Sequence, residues 1–481
     1  MSKGFLSRIR IPHVFTLLTG VILFSSLLTW VIPSGSYERQ TMQVGQLERS
    51  VIIPNSYEQV PKHYSLHGIL SPDAPEGRAS PVGLQGFLSA IPRGMEAAAD
   101  IIFFIFVVGG VFGILSRTGA IVSGIHHLLN RFRNSGPMLT IILMSAIAVG
   151  GSTLGMGEEF IPLVPIFLIV SKEMGYDRVF GLALVFVAAE TGFAAATTNP
   201  FTVNVAQSIA ELPLNSLMGF RLIFLVCSLA VVLTYVLRYG ARVRLDRANS
   251  VMPDDAFELA ESSVEIEAFN SRHRLILISC VAIFAFILYA VQAHGWWMAE
   301  MGGGFLLMGF VAVWISGISI ADAARAMARG MEDMVVAALV VGFARGVQVV
   351  LSDAMVLDSI VFYAALFLEN FSTYVAAAGM FFFQTILNFF IPSGSGQAAV
   401  TMPIMAPLAD VLGLSRQVAV FAFTCGDGFS NTIIPTSGIL MAMLGLSGIP
   451  YEKWLKFMIP LFLRLALLAV VFLTIAVALD L

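Results

Sequence analysis

The long apolar runs of this chain decide its environment before any other feature does. A helix needs about 20 apolar residues to cross a bilayer, and the stretches 12–33, 95–117, 178–209, 216–239, 274–293, 302–319, 332–351, 416–447 and 455–479 meet that need or come near it. In hydrocarbon each backbone N–H and C=O must find its partner within the chain, so such runs fold as helices. Charged residues make up 12% of the sequence, roughly half the share of a soluble chain. A net charge of −4 supplies no electrostatic footprint for nucleic acid, so no such partner is expected. Cys227, Cys280 and Cys425 sit in apolar stretches without a close Cys-x-x-Cys pair and read as reduced packing residues. Lys3, Arg8 and Arg10 precede the first apolar run, which is too long for a signal peptide and lacks an Ala-x-Ala site. It is expected to stay as the first helix.

Orientation follows the lysines and arginines. Residues 34–80 form one polar loop and 240–273 another. The basic N-terminus, the basic turn Arg117–Arg133 and the 240–273 segment all belong on the cytoplasmic side. Nine crossings satisfy this, with the N-terminus cytoplasmic and the C-terminus external.

Two segments do not read as simple spans. Residues 136–174 run apolar, then Gly150-Gly151-Ser152-Thr153-Leu154-Gly155-Met156-Gly157-Glu158-Glu159, then apolar again. Residues 372–414 do the same around Ile391-Pro392-Ser393-Gly394-Ser395-Gly396-Gln397. Both are expected to be re-entrant hairpins. Irregular backbone at membrane depth survives only where it lines a cavity or is covered by protein.

The chain also repeats itself. Arg93-Gly94-Met95-Glu96 recurs as Arg329-Gly330-Met331-Glu332, Leu115-Ser116 as Leu351-Ser352, Gly192-Phe193 as Gly428-Phe429, and Pro200 as Pro435. Five spans separate the copies, an odd number, so they are expected to run in opposite directions. The predicted fold is an all-α polytopic membrane protein of two inverted repeats, each with a re-entrant hairpin and a broken helix. The first repeat covers 1–239, with hairpin 136–174 and broken helix 178–209. A cytoplasmic linker covers 240–273. The second repeat covers 274–481, with hairpin 372–414 and broken helix 416–447. Inverted repeats with interrupted helices characterise secondary transporters.

The interruptions supply the candidate site. The first repeat contributes Ser152, Thr153, Gly155, Glu158 and Glu159 from its tip. Its helix is expected to break at Glu190-Thr191-Gly192-Phe193 and again at Thr197-Thr198-Asn199-Pro200. The second contributes Ser393, Gly394, Ser395, Gly396 and Gln397, then Gly426-Asp427-Gly428-Phe429-Ser430-Asn431-Thr432 and Pro435-Thr436-Ser437. Glycine permits the bend and proline ends the helical ladder. Freed carbonyls can then hold a cation, while helix N-termini face an anion. Ser, Thr and Asn are expected to orient the substrate. Glu158, Glu159, Glu190 and Asp427 are expected to couple an ion, either Na+ or H+, with Na+ near Asn199 and Asn431. A carboxylate at mid-membrane costs about 2.5–3.5 kcal/mol, so these four need a task or a base such as Lys172, Arg178 or Arg345. Arg345 is assigned first to neutralising an acid and second to meeting an anionic substrate.

Ile11-Pro12-His13-Val14-Phe15-Thr16-Leu17, Ile32-Pro33-Ser34-Gly35-Ser36-Tyr37, Ile391-Pro392-Ser393-Gly394-Ser395-Gly396-Gln397-Ala398 and Gly426-Asp427-Gly428-Phe429-Ser430-Asn431 resemble the YfcC family of bacterial carriers. That family is related to the DcuC C4-dicarboxylate carriers and the ArcD arginine/ornithine exchangers, within the ion-transporter superfamily. The resemblance implies a homodimer in the bacterial inner membrane, with a fixed scaffold and a transport domain that moves as an elevator. It implies substrate contacts at Ser393, Ser395, Asn199, Asn431 and Thr432. The sodium–dicarboxylate branch carries Ser-Asn-Thr at its hairpin tips, whereas here Ser430-Asn431-Thr432 falls on the broken helix.

Four acids and no base at the tips and breaks favour a basic or zwitterionic amino acid as substrate. If those acids serve Na+ or H+ instead, a C4-dicarboxylate carrier is the alternative. A channel needs a continuous pore, which two closing hairpins do not offer. An intramembrane enzyme would need a base beside Ser395, and all seven histidines lie in loops or near span ends. No Gly-x-x-x-x-Gly-Lys-Ser/Thr phosphate loop occurs, so ion gradients or exchange must drive the movement. No enzymatic activity and no cofactor beyond a coupling ion are expected.

Overall fold

In the computed structural model, residues 14–44, 47–131, 136–255, 257 and 269–481 are described. Basic residues Lys3, Arg8 and Arg10, the Ile11-Pro12-His13 motif and the 258–268 part of the linker lie outside them. Apolar sequence becomes helix throughout. Among the described residues, seven helices are long and apolar enough to cross a membrane: Ala99–Arg117, Gly136–Leu154, Met218–Leu245, Ser271–Val291, Met298–Ser316, Val335–Asp353 and Tyr451–Ala478. The expected first span is shorter, with helix α1 covering Val14–Leu28.

Two further series of helices follow the order α2 (Leu84–Ala97), α3 (Ala99–Arg117), α4 (Ala120–Arg131), α5 (Gly136–Leu154), α6 (Val164–Glu173), α7 (Arg178–Leu182), α8 (Ala188–Ala194), α9 (Val203–Ile209), α10 (Met218–Leu245), then α11 (Ser271–His294), α12 (Met298–Ser316), α13 (Ile320–Asp333), α14 (Val335–Asp353), α15 (Leu357–Leu368), α16 (Thr373–Asn388), α17 (Gly394–Val411), α18 (Arg416–Ser430), α19 (Gly438–Ser447) and α20 (Tyr451–Ala478). Lengths recur in order. Helices α2 and α13 have 14 residues each, α3 and α14 have 19, α4 and α15 have 12, and α10 and α20 have 28.

Packing recurs with the lengths. Helix α2 lies against α14 while α13 lies against α3, and α5 lies against α8 as α16 lies against α18. The repeated Arg-Gly-Met-Glu explains the first pair. A β-carbon on Gly94 would strike the α14 backbone at Gly342 and Gly346, and one on Gly330 would strike α3 at Gly109 and Gly113. Small residues let two backbones approach closely in a membrane. Arg93 adds an ion pair to Asp353 at the end of α14, its Nη2 donating to Oδ1 at 2.8 Å.

Several expected boundaries move, and the moves share a cause. The helix of the first tip continues through Gly150–Leu154, so the interruption shrinks to Gly155–Gly157 before a short 3-10 turn, Glu158–Leu163. Glu190–Phe193 is likewise helical in α8, after a π-turn at Ala183–Val187, and the break falls at 195–202. Gly426–Ser430 remains in α18, and that break falls at 431–437. Gly151 and Gly192 serve contact rather than bending, since β-carbons there would collide with Ala189 O and Ala148 O across the α5–α8 contact. In the second tip the interruption is 389–393, and Gly394–Gln397 form the first turn of α17.

Two connecting segments also hold regular structure. The basic turn after Arg117 is the amphipathic helix α4, and its counterpart α15 follows α14. The 34–80 loop contains strands β1 (Ser34–Ser36), β2 (Arg39–Val44), β3 (Leu47–Ile52) and β4 (Glu58–Val60), with β1 pairing antiparallel to β4 and β2 to β3. Strand β1, the residues after it and the start of β2 are tied to the α14–α15 corner. Ser34 Oγ donates to Ala354 O at 2.5 Å, Tyr37 N to Asp358 Oδ2 at 3.0 Å, and Arg39 Nη2 to Asp358 Oδ1 at 2.7 Å. The second pair reaches across to α9 and α17 and buries Val51 and Ile52.

The linker begins as helix, because α10 runs to Leu245, and then folds back on the bundle. Asp177 caps α7 by accepting from Phe180 N at 2.8 Å and also accepts from Ser250 Oγ at 2.5 Å and from Tyr239 OH. Arg178 pairs with Asp255 at 2.7 Å, so it is committed to the linker and not to the intramembrane acids. Met380 and Phe381 are buried whereas Phe382 is exposed. Cys227, Cys280 and Cys425 are free thiols.

Candidate functional site

A cavity of about 330 Å³ opens between two groups of elements. One wall comes from the α2–α3 junction, the start of α12, and α14, with Asp100, Trp297 and Arg345 as its polar residues. The facing wall comes from the interruptions: Gly155, Glu158 and Glu159; Ser393, Gly394 and Ser395; Asn431; and Thr436, Ser437 and Gly438. That volume is at the lower end of ligand pockets, about 300–1,000 Å³.

Each interruption is held open by a side chain from the preceding arm. Ser152, fully buried near the end of α5, donates from Oγ to Ala195 O at 2.9 Å, and its own carbonyl accepts from Thr197 N at 3.0 Å. Thr198 Oγ1 donates to Thr153 O at 3.0 Å. Asn388 does the same work at the end of α16. Its Nδ2 donates to Asp427 O at 2.8 Å, Ser430 Oγ at 2.8 Å and Asn431 Oδ1 at 2.7 Å. Trp454 Nε1 takes up Thr432 O at 2.9 Å. The orphan groups that a broken helix leaves behind thus find partners.

The sequence candidates divide accordingly. Gly155, Glu158, Glu159, Ser393, Gly394, Ser395, Asn431, Thr436 and Ser437 line the cavity. Ser152, Thr153, Thr198, Asn199, Pro200, Gly396, Gln397, Thr432, Glu190 and Asp427 are not among its lining residues. Gly155 needs its glycine: φ is +69°, and a β-carbon would strike Asn199. Asn199 Oδ1 accepts from Phe201 N at 2.8 Å, fixing the turn into α9. Gln397 is buried and donates to Gln384 Oε1 at 2.7 Å. Glu190 is buried where α8 meets α18, its Oε2 accepting from Asn431 Nδ2 at 3.2 Å.

Electrostatically the cavity has two characters. Helices α17 and α19 both begin at its edge, α19 capped by Ser437 Oγ accepting from Leu440 N at 3.3 Å and α17 preceded by Ser393 without a side-chain cap, and a helix start presents unpaired N–H groups and a partial positive charge. Thr436 Oγ1 is fully buried and has no protein partner among the described residues. Arg345 lies one helical turn beyond Val341, which packs on Gly438 at the start of α19. Glu158, Glu159 and Asp100 supply the opposite sign. Glu159 Oε2 accepts from Gly157 N at 2.9 Å, and Asp100 Oδ2 accepts from Trp297 Nε1 at 3.2 Å. Trp297 meets Phe201 edge-on at 5.1 Å across the cavity. The sequence reading missed Asp100, Trp297 and Asn388 and gave Arg345 mainly to the scaffold. The available signals were an acid at the head of an apolar span and an amide immediately before a Pro-Ser-Gly tip.

A chain that crosses a membrane and encloses a mixed-charge cavity between interrupted helices is built as a transporter. The sequence matches the C4-dicarboxylate anaerobic carriers (DcuC) over residues 11–478, and the chain belongs to that family. It is 33% identical over 474 residues to YfcC of Escherichia coli (strain K12), described as a candidate basic amino acid antiporter, with 93% of each chain covered. It is 28% identical over 512 residues to an uncharacterized protein of Haemophilus influenzae, covering 97% of each. Among solved structures, the YdaH transporter of Alcanivorax borkumensis aligns at 17% identity and a TM-score of 0.45, covering 97% of this chain and 99% of its own. MtrF of Neisseria gonorrhoeae, from a class of antimetabolite efflux pumps, aligns at 18% and 0.42, covering 99% and 98%.

Proposed function

We propose that this protein is a secondary carrier of a small amino acid, basic or zwitterionic. The substrate carboxylate lies toward Arg345 and the starts of α17 and α19, and its ammonium group toward Glu158 and Asp100. The observation that carries this reading is the mixed lining of one cavity, with a guanidinium and two helix N-termini set against carboxylates. A dicarboxylate would satisfy the first set and be repelled by the second. An amine would do the reverse, and an α-amino acid satisfies both. The description of the Escherichia coli relative as a basic amino acid antiporter candidate agrees in class.

The movement we assign is an elevator exchange of two inverted repeats in a homodimer of the bacterial inner membrane. Its support is the paired helix lengths and the reciprocal α2–α14 and α13–α3 contacts. In this reading α3, α12 and α14 stay fixed, and the tips and broken helices carry the substrate. Coupling to Na+ or H+, or exchange of one substrate for another, completes the cycle.

The test is thermal stabilisation of the purified protein by arginine, ornithine, neutral amino acids, succinate, fumarate and the decarboxylated amines. A ligand that prefers the folded state raises Tm. Amino acids are expected to raise it where neither the amines nor the dicarboxylates do. Stabilisation by succinate or fumarate alone would replace this reading with the dicarboxylate one.

A further inference from the structure

The breaks after α8 and after α18 each receive a donor from a long helix downstream, at matching places. Ala196 is the fourth residue after Gly192, as Thr432 is after Gly428. Each carbonyl accepts from the fourth residue of a 28-residue helix. Thr432 O accepts from Trp454 Nε1 on α20 at 2.9 Å, and Ala196 O from Arg221 Nη1 on α10 at 3.4 Å. The two donors differ in charge. An indole N–H serves the second break, whereas the first carries a guanidinium. Arg221 is 1% exposed. Among the described residues no carboxylate pairs with it, and its Nε and Nη2 have no hydrogen-bond partner. Its other neighbours are Thr424 Oγ1, 3.4 Å from Nη1, and the Phe421 ring, whose centre lies 5.8 Å from the guanidinium carbon.

A buried guanidinium without a carboxylate is costly, and a neutral donor would satisfy the same carbonyl. The charge itself therefore needs a reason. Helix α10 does not supply one, because Arg221 sits in its first turn, where the helix pole repels a cation. The opposite pole lies at the break. Helix α7, the π-turn and α8 run without interruption from Arg178 to Ala194, and the carbonyl end of that run carries partial negative charge. We propose that Arg221 is a positioning residue for the cavity: its fixed positive charge anchors this carbonyl end and holds the break 195–202 in place. The same break sets Asn199 against Gly155 and brings Phe201 to the cavity, so the charge acts on the cargo through them. The effect on cargo rests on the carrier reading, whereas the hold on the break does not.

Hydrogen exchange of the purified full-length protein, followed by mass spectrometry with no ligand present, reads the break directly. The amides of Ala195, Thr197 and Asn204 are hydrogen-bonded in and around it. In R221M and R221Q, exchange over 195–204 is expected to quicken about tenfold. R221K should stay near the wild type, and 431–437 should be unchanged in all three. The Tm of R221M should not fall, since methionine removes an unpaired buried charge. Unchanged exchange over 195–204 in R221M, protection kept in R221Q, or protection lost in R221K would overturn the proposal. A lower Tm with both breaks loosened would overturn it too, because that is the mark of a residue that only fills space. R221K decides alone if neither neutral variant folds. Arginine affinity, read from Tm shifts, is expected to weaken about tenfold in R221M and to hold in R221K. If arginine fails to stabilise even the wild type, the substrate reading fails, and hydrogen exchange still decides the role of Arg221.

Discussion

At the scale of single residues, the proposed recognition rests on Arg345, which lines the cavity. A guanidinium can hold a carboxylate with two parallel hydrogen bonds, which an ammonium cannot reproduce. Hydrogen bonds to charged groups contribute about 1.5–3 kcal/mol, so Arg345→Ala is expected to weaken amino acid binding roughly 10–100-fold. Arg345→Lys should recover only part of the loss. Titration of ligand-induced Tm shifts measures both, and unchanged affinity in Arg345→Ala would remove the carboxylate end of the proposed site. Sequence reading reached Ser393, Ser395, Asn431, Thr436 and Ser437 because glycine and proline mark where a helix must stop inside a membrane. It held Arg345 at the substrate only as a second reading and did not bring Asp100 or Trp297 to the cavity, since these sit on other elements and spacing along a chain carries no information about that proximity. Glycine itself was ambiguous. Gly155 bends the chain, while Gly151 and Gly192 admit a neighbouring helix, and the bare residue type is the same in each case.

At the scale of elements, the ends of helices decide most of the architecture. The end of α1 is capped from a distant loop, with Lys62 Nζ donating to Thr29 O and Ile32 O. A cation suits a helix C-terminus, yet burial pushes the Lys62 ammonium down from its usual 10.5 to about 8. Below pH 8 folded and unfolded chains both carry the proton, and the cost of burying it is fully present. Between about 8 and 10.5 the folded protein releases its proton first, so stability should rise with pH across that window. Lys62→Met is expected to flatten this rise in Tm between pH 7.5 and 10.5, and an identical slope in the variant would exclude Lys62 as its source. The strong apolar spans were legible from composition and length. Strands β2 and β3 and helices α4 and α15 were not, because each is short and half-polar and takes its form from what it packs upon.

At the scale of the molecule, function depends on whether the two walls of the cavity move past one another. Val341 on α14 and Gly438 on α19 form a direct contact across them, Val341 Cβ lying 3.3 Å from where a Gly438 β-carbon would be. That is slightly shorter than the roughly 3.5–4.5 Å between the β-carbons of a disulfide, so a small shift of either helix brings the pair into range. With Cys227, Cys280 and Cys425 replaced, the pair Val341→Cys and Gly438→Cys is expected to cross-link under oxidation. Flux in proteoliposomes should then stop and return on reduction. Continued flux in the cross-linked protein would mean that α14 and α19 do not slide. A few matched residues in the sequence led to the expectation of two repeats. The partner exchange of α2 and α13 was out of its reach, because it depends on where Gly94 and Gly330 meet the opposite half. The β-ribbon adds a kinetic consequence. One end is fastened to the α14–α15 corner through Arg39, and strands β2 and β3 also rest on α9 and α17, so parting the walls would mean peeling the ribbon from one support. That adhesion lies outside the cavity and is the same for every cargo. If the walls slide as proposed, the ribbon is expected to act as a latch, with one speed limit for loaded and empty strokes and a grip that can be tuned without touching what the carrier recognises.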